Sequence, residues 1–193
     1  GLMLTVPAAL GLMVLSDPII TLLFQRGLFD IESTNLTSLA LLAYSTGLPA
    51  FVLIKILQPN FFARSDTVTP IKIAAIAIVT NLILNLILMQ YFAHVGLALA
   101  TSVSAWLSAI LLLIILKKKE FYQLRKLVLV KILQISLAAC VMAIGLLALI
   151  KVTKHVFVDP NLTGASILLL LIFSGGLIYF VSLLLFNAIN KEI

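Results

Sequence analysis

Apolar residues along this chain come in long runs separated by short polar breaks, the pattern of helices that cross a bilayer rather than of strands. The first run, Leu2 to Leu15, stops at Ser16-Asp17-Pro18. Asp17 is placed to accept from the free N–H groups of a new helix, and proline suits a first helical position. The spacing therefore predicts a separate short helix from Ile19 to Phe24, lying at the interface before Gln25-Arg26-Gly27. Asp30 and Ser33 are start signals for the second span, Leu36 to Phe62, where Gly47-Leu48-Pro49 and Pro59 predict one or two bends. After a loop from Ala63 to Val68, Thr69-Pro70 repeats the cap-plus-proline start and opens the third span, Ile71 to Phe92. The remaining runs are Gly96 to Leu116, Leu127 to Ile150 and Leu162 to Ala188. The expected fold is all-α: one polytopic transmembrane helix bundle, a single unit over residues 1–193 with about six spans. Closed β-barrels are excluded, because their strands are short and alternate apolar with polar.

Composition makes the membrane reading firm. Of 193 residues, 63% are hydrophobic and 10% charged, with mean hydropathy +1.25, which excludes disorder and a soluble enzyme with one packed core. Net charge is +6, a value that in a soluble protein would suggest nucleic acid. Here the basic residues sit between apolar runs, and no nucleic-acid partner is expected. With the loops after the second and fourth spans and the C-terminus on the cytoplasmic side, that side holds Arg64, Lys72, Lys117, Lys118, Lys119, Arg125, Lys126, Lys131 and Lys191. Arg26, Lys151 and Lys154 fall opposite, a nine-to-three split that fits retention of positive charge inside. The basic stretch from Lys117 to Lys126 can also meet anionic lipid headgroups. A chain that starts at Gly1 inside an apolar run reads as a piece of something longer.

Enzyme chemistry finds little support. His94 and His155 lack ligand-spaced partners, Cys140 is alone and reads as a small packing residue, and no phosphate-binding G-x-x-x-x-G-K-[ST] loop occurs. Asp17, Asp30, Asp66 and Asp159 are scattered over four breaks, unlike the clustered carboxylates that hold a divalent metal. Lys55 is the ionisable residue within a span. It sits nine positions before Arg64, ~13 Å from that helix end, farther than a lysine snorkels. It either faces a wet cavity or sits in a displaced helix. On one uninterrupted helix Thr37, Tyr44, Leu48, Lys55 and Pro59 would share a face, making Tyr44, Lys55 and Gln58 candidates for a cavity lining.

Asn81 and Asn85 are four apart and share a helix face. With a tight antiparallel connection, Asn85 and Thr101 lie at similar depth, roughly 7–11 Å below one surface. Neutral oxygens of this kind suit Na⁺, and the alternative is hydrogen-bonded glue between two helices. No other cofactor is expected.

Several stretches carry a family resemblance. Leu10-Gly11-Leu12-Met13-Val14-Leu15-Ser16-Asp17-Pro18-Ile19-Ile20, Phe24-Gln25-Arg26-Gly27-Leu28-Phe29-Asp30, Tyr44-Ser45-Thr46-Gly47-Leu48-Pro49, Lys55-Ile56-Leu57-Gln58-Pro59 and Phe62-Ala63-Arg64-Ser65-Asp66-Thr67-Val68-Thr69-Pro70 resemble the MurJ (MviN) family. These are lipid II flippases within the multidrug/oligosaccharidyl-lipid/polysaccharide exporter superfamily. The resemblance spans most of Leu10 to Lys119. It implies the last six spans of a fourteen-span transporter of the bacterial inner membrane, with lipid II and membrane lipids as partners beside an N-terminal lobe. It implies that the arginines on the substrate pyrophosphate belong to that other lobe, and that the last two spans form a groove for the lipid tail. Arg64 and Asp66 become candidates for a cytoplasmic gate or loop. Some such flippases hold sodium between the spans equivalent to those of Asn81, Asn85 and Thr101, with an acidic residue from a span outside this chain. A carboxylate can stand there where this chain has Asn85. The alternatives are a related exporter of drugs or another lipid-linked polysaccharide, and a non-transporting scaffold.

Overall fold

The computed structural model describes residues 1–119, 126–153 and 162–186. Every regular element among them is an α-helix: α1 (Leu2–Phe24), α2 (Ile31–Ser45), α3 (Leu48–Phe62), α4 (Val68–Lys118), α5 (Lys126–Thr153) and α6 (Leu162–Leu185). The stretch from Ile31 to Phe62 and each of α1, α4, α5 and α6 is long and apolar enough to cross a bilayer. At 51 residues α4 would extend ~77 Å if straight, more than twice a ~30 Å hydrocarbon core. It turns back instead at Ala93, whose φ of 47° and ψ of −129° leave the helical region and divide α4 into antiparallel arms over 68–92 and 94–118. At the bend Gly96 lies against the backbone of Leu88.

Two features depart from the sequence reading. The expected break at 16–18 and the separate interfacial helix over 19–24 are absent; α1 runs unbroken through Pro18. One missing N–H is tolerated inside a packed membrane helix. The Ser16 hydroxyl donates back to the Met13 carbonyl rather than capping a new helix, and Asp17 is an exposed residue within α1. The second span begins at Ile31 rather than Leu36, with Asp30 as its N-cap: the Ser33 N–H donates to the Asp30 carboxylate at 2.8 Å. That bond holds the Asp30 carboxyl below the usual carboxylate range.

The expected bend falls at Thr46-Gly47, while Pro59 stays inside α3. Pro49 stands in the first turn of α3, where a missing N–H breaks no bond of that helix, so the chain restarts there. The second arm of α4 is tied to the break: the Ser102 hydroxyl donates to the Ala43 carbonyl at 2.8 Å and the Trp106 indole to the Thr46 carbonyl at 2.9 Å. A Cβ on Gly47 would sit 3.0 Å from the Cα of Ser102, so only glycine permits this approach.

Packing follows small residues. Ala50, Ala105 and Ala109 bring α3 against α4, and Leu57, Phe61, Ile73, Leu112 and Leu116 extend that contact. A separate cluster joins α1 to α5 and α6 through Leu15, Met142, Leu146 and Leu183. α1 is the hub, touching α2, α3, α5 and α6. Large apolar side chains such as Ile71, Ile78 and Leu86 on α4 and Phe173 and Leu177 on α6 point outward, as a lipid-facing surface does. The charged residues Glu120, Arg125, Lys154, His155, Asp159 and Lys191 lie outside the described residues, as does the expected end of the last span at 187–188.

Candidate functional site

At one end of the bundle the α3–α4 loop meets the end of the second α4 arm. Asp66 caps α4: it accepts from the Thr69 N–H at 3.1 Å and from the Thr69 hydroxyl at 2.8 Å. The same carboxylate accepts from Lys119 at 2.5 Å, across 53 residues. The hydrogen bond from Lys119, then those from Thr69, bring its pKa down to about 2, so it stays charged at any physiological pH. This staple holds the basic end of the second arm, Lys117 to Lys119, beside the α3–α4 loop that carries Arg64. Ser65 pays for the tight loop with a left-handed φ of 58°.

Tyr44 and Lys55 are exposed on α2 and α3, and Gln58 is half-buried one turn beyond Lys55. The break at Thr46-Gly47 separates Tyr44 from the other two, so the single continuous face expected from the sequence is interrupted. Tyr44 packs instead on Phe51, ring centroids 5.8 Å apart, across that break. Lys55 lies seven residues before Phe62, ~10 Å inside α3.

The hairpin brings Asn81, Asn85 and Thr101 together. The Asn81 amide N–H groups reach the hydroxyls of Thr101 at 3.4 Å and Ser104 at 3.3 Å, and Asn85 donates to the Asn81 oxygen at 3.0 Å. The two bonds from Asn81 tie the arms of α4 side to side, while the one from Asn85 stays within the first arm. The Asn85 Oδ1 is left buried with no hydrogen-bond partner. Ser104 is a member that the spacing argument missed; it sits three residues past Thr101 on the same face.

Between α1, α5 and α6 lies an apolar cavity of about 340 Å³, lined among others by Leu4, Pro7, Leu12, Met142, Ile172 and Tyr179. Seven of its lining residues come from α1 (Leu4, Pro7, Ala8, Gly11, Leu12, Leu15 and Ile19). Tyr179 hydrogen-bonds to the Met3 carbonyl at its edge. The sequence signal for that contact is Pro7, which leaves a carbonyl four residues earlier without a donor. Cys140 is exposed on α5 rather than packed inside. Among the described residues no three His, Cys, Asp or Glu side chains group as metal ligands do.

The family model described as lipid II flippase MurJ matches residues 1–180. A Rickettsia prowazekii protein named "Probable lipid II flippase MurJ" is 35% identical over the whole of this chain and 38% of its own length. A Vibrio cholerae protein of the same name is 42% identical over 75% of this chain and 27% of its own length. A solved structure, "Lipid II flippase MurJ, inward closed conformation", superposes with a TM-score of 0.72 at 29% identity, covering 94% of this chain and 35% of that one. The chain thus spans a little over a third of the length of the first of these relatives. By the match along nearly all of its helices, the chain belongs to the MurJ family of lipid II flippases.

Proposed function

We propose that this chain forms the C-terminal lobe of a transporter that carries lipid II from the cytoplasmic to the outer leaflet of the bacterial inner membrane, for cell-wall synthesis. The observation that carries the reading is Lys55, a cation exposed ~10 Å inside a membrane helix, just past a broken segment. Ionisable groups at that depth face a water-filled path, and discontinuous helices line substrate sites in transporters. An ammonium there suits a pyrophosphate passing through a central cavity. The apolar space between α1, α5 and α6 suits the hydrocarbon part of the same molecule. A scaffold would need neither feature. An exporter of another lipid-linked polysaccharide would share both, and substrate competition separates it. The test is translocation of lipid II by the full-length transporter in vesicles. Lys55→Ala is expected to slow it about tenfold, the usual effect of removing one charged contact, with folded protein unchanged. Unchanged translocation would return Lys55 to a lipid-facing role.

A second reading concerns Na⁺. The buried, unpartnered Asn85 Oδ1 beside Asn81, Thr101 and Ser104 supports a cation held by neutral oxygens, with further ligands from outside this lobe. When bound, the ion would supply positive charge that draws the two α4 arms and a neighbouring helix together. Sodium, compared with potassium, is expected to raise the thermal midpoint of the full-length transporter, and Asn85→Ala to abolish the difference. Equal shifts with both ions would leave the cluster as helix–helix glue.

A further inference from the structure

Pro7 lies in the second turn of α1 and has no N–H, so the Met3 carbonyl four residues earlier has no donor within its own helix. Tyr179, on α6, supplies one: its hydroxyl donates to the Met3 oxygen at 2.6 Å. Gly1, two residues before Met3, lies against Val52 and Ile56 of α3, so this end of α1 is held within the bundle. Tyr179 is 9% exposed and lines the apolar cavity together with Leu4 and Pro7. α5 and α6 join the remainder of the bundle chiefly through α1. We infer that Tyr179 and Pro7 form a latch, in which a hydroxyl of α6 takes the place of the N–H that Pro7 lacks. It holds α6 against α1 at the edge of the cavity. The latch is a positioning device. It goes beyond the reading of the cavity as a place for hydrocarbon and stands on the α1–α6 geometry whatever occupies the space.

The latch makes the two residues interdependent, and a double-mutant cycle reads that directly. The proteins compared are the wild type, Tyr179→Phe, Pro7→Ala and the double variant, each in lipid nanodiscs. Tyr179→Phe keeps the ring and loses only the hydroxyl, so folding is not at stake. It is expected to lower the thermal midpoint by about 2–4 °C, the scale of one intramembrane hydrogen bond in a chain of this size. Photolabelling of the Gly175–Gly176 segment by a diazirine-bearing phosphatidylglycerol is expected to rise about twofold, as α6 moves off α1. Pro7→Ala restores an N–H to the Met3 carbonyl inside α1. In that background Tyr179→Phe is expected to change neither midpoint nor labelling. An equal loss in both backgrounds would show that Tyr179 acts without regard to Pro7, and no effect in either would show that the bond fastens nothing; each result overturns the latch.

Discussion

Gly96→Val is expected to unfold the α4 hairpin. A Cβ at Gly96 would lie 2.4 Å from the Leu88 carbonyl oxygen and 2.6 Å from its carbon. Both are backbone atoms and cannot rotate aside, so the arms must separate. Overpacking in a well-packed interior costs about 1–3 kcal/mol where side chains can shift, and the cost here is at the top of that range or above. The damage extends beyond the bend, because the same approach of the arms sets the Asn81 contacts to Thr101 and Ser104 and brings Lys119 to Asp66. Gly176→Ala is the control: nothing lies within 4 Å of a Cβ there, and alanine favours a helix by up to ~1 kcal/mol. Thermal unfolding in detergent checks both. A Gly96→Val midpoint equal to the control's would mean that the hairpin is not this tight.

The second large effect is all-or-none. Purified as 193 residues and reconstituted in vesicles, this chain is expected to move no lipid II above the protein-free rate. Alternating access works by moving one repeat or bundle against another around a site between them, and this chain corresponds to 38% of the length of a relative it matches throughout. Lys55 is exposed on α3 among the described residues. Adding the remaining lobe of a relative, in cis or as a separate polypeptide, is expected to restore translocation. Robust movement by the chain alone would sink both this expectation and the proposed division of labour.

Much of the fold was legible because long apolar runs leave a membrane chain few choices. Gly47-Leu48-Pro49 marked the break between α2 and α3, since glycine and proline act on the backbone they occupy. Ser16-Asp17-Pro18 misled for the same reason: it carries the local chemistry of a helix start, but packing of α1 against four other helices decides the matter and carries the helix through. Asn81, Asn85 and Thr101 could be brought together on paper because a tight hairpin fixes depth on both arms. Lys119 could not be assigned to Asp66, nor Tyr179 to Met3, because nothing in local spacing selects one lysine of a basic run or one tyrosine 176 residues away. The alignment of Tyr44 with Lys55 failed at the break, where a helical wheel no longer applies.

The place of α1 also bears on how the lobe assembles. α1 is synthesised first among these helices, yet one of its faces is completed only by α5 and α6, and the Met3–Tyr179 pair spans 176 residues. The α1–α2 and α3–α4 contacts join neighbours in sequence and can form as the chain enters the bilayer. The α1–α6 seam has the longest loop to close and therefore the largest entropy to overcome. During biosynthesis the Met3 carbonyl, which Pro7 leaves without a helical donor, waits for Tyr179 until α6 arrives.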